Sequence, residues 1–328
     1  MKAWRILEKG HPSEKLTQQN TTTPEPLEQQ VQIKVEASVI NFADILVCQG
    51  IYQNRPAVPF TPGLEAAGTV TAIGKNSGYA IGDKIAGMTA LPHGGFAESC
   101  LINDTAVLKY PSEISFADCG ILYNTFLTAH IALFRRGNLQ AGDVLLVLAG
   151  AGGVGSAAIQ LGRTAGATVI AAASTTEKLA YCEQLGAEHL INYETEDLYT
   201  RLGELTNNRG IDVCFDPVGG KMAEAVRRRL AFEGRYVIIG FTAGDIPSFP
   251  ANHALVKHYS VIGSAWTEYL HKNKSVVDDA FQAIIKLYKT NKITVGQWQA
   301  VRFSDLPVAL ANIENRQTLG RLLLTPHD

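Results

Sequence analysis

Between about Leu122 and Trp266 the chain repeats one texture, in which short apolar runs alternate with longer segments whose apolar residues recur at helical spacing. The runs Val144 to Ala149, Thr168 to Ala173, His189 to Ile191, Ile211 to Phe215, Arg235 to Ile239 and Ser260 to Ser264 read as strands. Strands alternating with helices predict a parallel, doubly wound α/β sheet of Rossmann type. The first 120 or so residues differ. Their β-branched runs (Val31 to Val35, Gly68 to Ile73, Lys84 to Ala86, Ala106 to Lys109) are punctuated by Pro and Gly, which predicts an irregular β-rich domain. Gln18 to Glu28, full of Gln, Thr and Pro, reads as a surface turn.

After Trp266 the pattern predicts a helix (Val276 to Tyr288), a strand (Gln299 to Phe303), a helix (Ser304 to Arg316) and a strand (Arg321 to Thr325). Four elements cannot bury a core of their own. They are expected to complete the N-terminal domain, giving 1–122 with 267–328 as one domain and 123–266 as another, inserted domain.

Composition narrows the classes. A length of 328 residues with 46% hydrophobic content fills more than one core. Lys plus Arg (29) nearly balances Asp plus Glu (31), so no broad field exists to hold nucleic acid or an anionic membrane surface. The N-terminal stretch is broken by charges before a signal-peptide core develops, and no apolar run approaches the ~20 residues of a spanning helix. A soluble, cytoplasmic protein is expected. The odd, scattered set of five cysteines (Cys48, Cys100, Cys119, Cys182, Cys214) reads as buried free thiols in a reducing compartment, not a disulfide framework.

The candidate chemistry starts at Gly150-Ala151-Gly152-Gly153-Val154-Gly155, which follows the first predicted strand of the inserted domain and opens a helix. In that context Gly150 would permit a tight turn, Gly152 would let a pyrophosphate approach the backbone, and Gly155 would let helix pack on strand. The backbone N–H groups of Gly152, Gly153 and Val154 and the helix dipole would then face the phosphates. At the end of the second strand, where an NAD-selective protein carries Asp or Glu, stands Ser174, with Lys178 one helical turn further on. A hydroxyl and a cation there favour the 2′-phosphate of NADPH. Ser174 as a helix N-cap, with Lys178 solvated, is the alternative.

Further segments carry a resemblance: Asn41-Phe42-Ala43-Asp44 with Gly50-Ile51-Tyr52, Pro62-Gly63-Leu64-Glu65-Ala66-Ala67-Gly68, Gly82-Asp83-Lys84-Ile85, Gly94-Gly95-Phe96-Ala97-Glu98 and Asp216-Pro217-Val218-Gly219-Gly220. Over nearly its whole length the chain resembles the zinc-free quinone oxidoreductase branch, zeta-crystallin-like, of the medium-chain dehydrogenase/reductase superfamily. The resemblance implies a GroES-like catalytic domain beside the Rossmann domain. In zinc-dependent members a cysteine, a histidine and a third ligand hold the metal; the corresponding places here are Asn41, Leu64 and Asn124, so no metal is expected. Glu65 would form a structural ion pair. Carried over by position, Asn41 and Thr128 would lie near the nicotinamide, Lys178, Tyr193 and Arg316 would grip the adenosine phosphate, and Gly240-Phe241 would run beside the nicotinamide half. Phe126 and His130 stand where relatives more often have Gly and Tyr, which alters the substrate pocket.

Without a Lewis acid, ionising an ordinary alcohol is unfavourable, and an electrophilic acceptor that needs mainly alignment with the nicotinamide is favoured. The expected reaction is hydride transfer from NADPH to a quinone, with one-electron steps as some relatives show; reduction of an enone or 2-enoyl thioester is the alternative. A third reading, of another class, is an NADPH-binding structural or regulatory protein without catalysis. Asn41 or Tyr52 would hydrogen-bond the developing oxyanion, Tyr52 leading as proton donor or else merely lining the cleft, with His93 as another candidate. The resemblance implies a homodimer joined through the sixth strand, around Val261-Ile262-Gly263-Ser264.

Overall fold

The fold is taken from a computed structural model that describes residues 1–327. The chain divides into two compact units, Met1–Asn124 with the segment from Gln297 onward, and Thr125–Gly296.

The first unit begins with β1 (Lys2–Ile6), which pairs antiparallel with β2 (Leu16–Asn20). It continues through β3 (Gln30–Val39), β4 (Glu65–Ile73), β5 (Lys84–Thr89) and β6 (Ser99–Lys109), all antiparallel to their neighbours. β3 also pairs with β6, so the four strands close on themselves and leave fewer open edges. Alternation drives this closure: Val31, Ile33, Val35 and Ala37 of β3 are buried. The expected turn over Gln18 to Glu28 is therefore half right, since residues 18–20 are strand, held by β1 rather than by burial of their own side chains.

The second unit contains β7 (Val144–Leu148), β8 (Thr168–Ala173), β9 (His189–Asn192), β10 (Ile211–Asp216), β11 (Leu230–Ile238) and β12 (Ser260–Gly263). Their order is β12-β11-β10-β7-β8-β9 and every pairing is parallel. β7 starts the sequence in the middle of the sheet and the chain then winds outward first to one side and then to the other, so a switch point lies at its carboxyl end. β12 is an edge strand.

The chain then returns to the first unit as β13 (Trp298–Arg302) and β14 (Arg321–Thr325), parallel to each other, with β14 antiparallel to β3. Trp4 Nε1 donates to the Phe303 carbonyl at 2.8 Å, fastening the returning segment to the N-terminus. One boundary differs from expectation. Residues 267–296 group with the second unit, because the helix Lys274–Lys289 buries Val277, Phe281 and Ile284 against the helical segments Leu127–His130 and Ile131–Arg136. Gln160 reinforces this by pairing with the Thr294 backbone, donating to its carbonyl at 3.0 Å and accepting from its N–H at 2.8 Å.

Candidate cofactor and active site

β7 is almost wholly buried and delivers the chain to the glycine turn at the carboxyl edge of the sheet. The left-handed residue of that turn is Ala149 (φ 50°), not Gly150 as the glycine pattern suggested. Gly150 serves packing instead: a Cβ there would lie 2.9 Å from Cys182 Sγ and 3.1 Å from Ala171 Cβ. Gly155 meets its expected role, since its Cβ would press on the Ala149 carbonyl and sit 2.9 Å from Gly150 Cα. Gly152 is the N-cap of the helix Gly153–Thr164 and has no side chain to cap it. Its own N–H donates to the Ala149 carbonyl, which removes it from the expected set of phosphate donors. The N–H groups of Gly153, Val154 and Gly155 precede the first intrahelical acceptor and present a donor nest with positive dipole. A Cβ on Gly152 would meet only the Ala149 oxygen, at 3.3 Å, so what it would fill is the space in front of that nest.

Beside the turn, β8 ends at Ala173, and the helix Thr176–Leu185 is capped by Thr175, whose side chain accepts from Lys178 N. Ser174 is thus not the cap. Its Oγ accepts from Lys178 Nζ at 3.4 Å, so hydroxyl and cation share one place. The Ala173–Asn192 register brings Tyr193 to the same edge, its N–H donating to the Ala173 carbonyl at 3.2 Å. Gly240 and Phe241 follow β11 at the carboxyl edge, where the Ile239 and Gly240 N–H groups donate to the Asp216 carbonyl at 2.8 and 3.4 Å. Thr128 is half-buried in the helix Leu127–His130.

The carboxylate of Asp216 orders this edge in a way the sequence reading did not assign. Its Oδ1 accepts from the N–H groups of Val218 (2.7 Å) and Gly219 (2.9 Å), while Oδ2 accepts from the Tyr236 hydroxyl at 2.5 Å. Asp ahead of Pro-Val-Gly is an Asx-turn signal that was available in the chain.

In the first unit, Asn41 is the N-cap of the helix Phe42–Gln49 and forms a capping box with Asp44. Asp44 Oδ2 accepts from Asn41 N and its Oδ1 from Leu64 N, both at 2.8 Å. Asn41 Nδ2 donates to Glu65 Oε1 (2.7 Å) and to the Val39 carbonyl (3.2 Å), and its Oδ1 accepts from Arg321 Nη1 (3.1 Å). Both amide hydrogens are therefore committed inside the protein, which leaves Asn41 no donor for an oxyanion. Asn124 Nδ2 also donates to Glu65 Oε1, at 3.1 Å. Glu65 is thus a hydrogen-bond hub rather than the contact ion pair expected. Burial pushes the pKa values of Asp44 and Glu65 upward. Leu64 lies in the apolar core with Ile45, Phe60 and Phe96.

Tyr52 packs against that core, half-buried, and its hydroxyl makes no hydrogen bond within the protein. Burial, and then the Asp44 charge, raise its pKa, so it stays a protonated donor at neutral pH. Burial and Arg5 lower the pKa of His93, which keeps it neutral. Arg316 lies beyond the helix Leu306–Glu314 in a left-handed turn (φ 57°), not within a helix as expected. All five cysteines are buried and free.

Residues 27–112 match the alcohol dehydrogenase GroES-like domain, and residues 153–286 match the zinc-binding dehydrogenase family. A quinone oxidoreductase-like protein 2 homolog of Nematostella vectensis is 34% identical over 90% of this chain and 81% of its own length. Among solved structures, Escherichia coli quinone oxidoreductase complexed with NADPH superimposes with a TM-score of 0.92 at 27% identity, covering 99% of this chain and 100% of that one. CurK enoyl reductase gives 0.86 at 25% identity, covering 99% of this chain and 98% of that one.

Proposed function

Since the chain belongs to the quinone oxidoreductase branch of the medium-chain dehydrogenase/reductase superfamily, we propose that it is an NADPH-dependent oxidoreductase that reduces a quinone without a metal. The observation that carries this reading is the donor nest of Gly153, Val154 and Gly155, open in front of Gly152, with Ser174 and Lys178 at the end of β8. The nest suits a pyrophosphate, and the hydroxyl–ammonium pair with Tyr193 suits a 2′-phosphate. Thr128 and Gly240-Phe241 are assigned to the nicotinamide half on the resemblance, as is Arg316 to the adenosine phosphate.

The residues at the zinc-ligand places do not fit zinc. Leu64 has no donor atom, and the Asn41 amide is saturated by Glu65, Val39 and Arg321. Among the described residues no group of three or more His, Cys, Asp or Glu could hold an ion.

When bound, NADPH supplies the hydride. Tyr52 is assigned the proton that the acceptor oxygen takes up as it becomes a hydroxyl, because its phenol is protonated and free of protein partners. Asn41 is assigned a positioning role, holding the start of the helix after which Tyr52 stands, where the Tyr52 N–H donates to the Leu46 carbonyl at 3.3 Å.

The likeness to CurK enoyl reductase favours a second reading, reduction of an enone or enoyl thioester. NADPH oxidation measured with a small quinone, an enone and an enoyl thioester separates the two readings: the quinone is expected to turn over fastest. Preference for the enone or thioester would replace the first reading by the second, and NADPH binding without turnover on any acceptor would favour a non-catalytic role. Tighter binding of NADH than of NADPH would refute the cofactor assignment.

A homodimer is proposed through β12, an edge strand whose Val261 is exposed, and sizing chromatography giving a monomer would refute it. No described helix is long and apolar enough to cross a membrane. The free thiols support a reducing, cytoplasmic setting.

A further inference from the structure

The cluster of Asn41, Asp44, Glu65, Asn124 and Arg321 holds two carboxyl groups and one guanidinium, all out of water. Their hydrogen bonds are unequally shared. Asp44 has a backbone N–H on each oxygen, at 2.8 Å. Glu65 has two side-chain donors on Oε1, whereas Oε2 is buried with no partner. Arg321 spends Nη1 on Asn41 Oδ1 and reaches Glu65 through its field.

We infer that Glu65 is a positioning residue that works as a neutral carboxylic acid, with its proton on Oε2, fixing the Asn41 and Asn124 amides from its carbonyl-like Oε1. Three physical points lead there. A carboxylate oxygen stripped of water and of donors is far costlier to bury than a neutral hydroxyl in the same place. A proton on Asp44 would face an N–H donor at either oxygen and break one of those bonds, so Asp44 is the partner that stays ionised opposite Arg321. With Glu65 neutral, the Asp44–Arg321 charges cancel and no second anion is left buried.

The other groups facing Glu65 do not change this balance. They are the phenols of Tyr110 and Tyr123, both driven further into their neutral forms by burial. Tyr123 is anchored by donating to the Ala106 carbonyl at 2.6 Å and accepting from Met88 N at 3.1 Å. Burial raises the Glu65 pKa, in the same direction.

The orientation of the Asn41 amide follows from its partners, since Val39 O and Glu65 Oε1 require donors and Arg321 requires an acceptor. Asn41 in turn caps the helix that leads to Tyr52. Resting on the reading of Tyr52 as proton donor, a neutral Glu65 also spares the acceptor oxygen a second buried negative charge as its own develops.

The test is carboxyl spectroscopy on the full chain, free of cofactor, comparing wild type with Glu65→Gln by infrared difference or carboxyl-carbon NMR at neutral pH. A protonated-acid carbonyl signal present in wild type, absent in Glu65→Gln and retained in Asp44→Asn is expected. A signal that survives Glu65→Gln, or none in wild type, overturns the assignment. Gln reproduces Oε1 as acceptor and a donor in place of Oε2–H, so Glu65→Gln should keep kcat and KM within about threefold of wild type, with Glu65→Ala losing kcat. It should also remove any fall in kcat as Glu65 ionises at higher pH. Wild-type-like kcat in Glu65→Ala, or an unchanged pH profile in Glu65→Gln, counts against the positioning role. Because the spectroscopic arm needs neither NADPH nor an acceptor, failure of the oxidoreductase reading leaves it standing, and the two failures are distinguishable.

Discussion

The glycine turn separates binding from folding at two positions three residues apart. Gly152→Ala puts a methyl in front of the N–H nest while touching only the Ala149 oxygen, at 3.3 Å, and the N-cap angles (φ −76°, ψ 168°) suit alanine. Its cost to the fold is the difference between Gly and Ala at an N-cap, about 1 kcal/mol or less. That corresponds to about 2–4 °C in Tm for a domain of roughly this size. Its cost to cofactor binding is larger. Displacing a pyrophosphate from two charge-assisted N–H bonds forfeits about 1.5–3 kcal/mol each, so NADPH affinity should fall by about 100-fold or more. Gly155→Ala reverses the balance, because its Cβ would lie 2.9 Å from Gly150 Cα and 3.0 Å from the Ala149 carbonyl carbon, backbone atoms that cannot swing aside. Overpacking of that kind costs about 1–3 kcal/mol before any ligand is added. Thermal unfolding followed by circular dichroism, with NADPH titration of each folded variant by fluorescence, reads both effects. A folded Gly152→Ala protein that binds NADPH like wild type would refute the cradle, and a Gly155→Ala protein melting at the wild-type temperature would refute the packing account.

Tyr236→Phe leaves Asp216 Oδ2 buried without its hydroxyl donor and should lower stability by about 1–3 kcal/mol, an effect that an unchanged denaturant midpoint would exclude. Burial lowers the His130 pKa from 6.5 to about 4, so below 6.5 the unfolded chain takes up a proton that the folded ring refuses. Stability should therefore fall as pH drops through that window, by roughly 3 kcal/mol at about 1.4 kcal/mol per pH unit, and His130→Phe should flatten the profile; an equally steep profile in the variant would contradict the assignment. Ser174→Asp sets a carboxylate beside Lys178, and the ratio of NADPH to NADH affinity should fall by at least about tenfold, measured by titration with each cofactor. Tyr52→Phe should lower kcat by about 100-fold with NADPH affinity unchanged, whereas wild-type kcat would remove Tyr52 as proton donor.

Periodicity carried the second unit, because a strand buried on both faces must be apolar along its whole length and cannot hide in the sequence; all six strands stand close to where the runs place them. The same reasoning failed for β1 and β2, whose residues are partly polar and exposed and which exist through their mutual register. The glycine spacing announced a dinucleotide turn, yet the left-handed position fell on Ala149 and Gly150 turned out to pack on Cys182. Ser174 had two possible uses in the sequence, and Thr175 took the cap. Residues 267–296 joined the second unit because their apolar face met partners more than a hundred residues earlier, which no local pattern encodes.

Identity at Asn41, Leu64 and Asn124 was enough to rule out a zinc donor set, since ligand chemistry belongs to the side chain itself. What those residues do in its place was decided by tertiary structure. Glu65, Arg321 and Asn41 are far apart along the chain, and only their convergence uses up the Asn41 hydrogens and leaves Glu65 Oε2 alone. Sequence determines which atoms can donate, accept or ligate; the fold determines which of them are already spent.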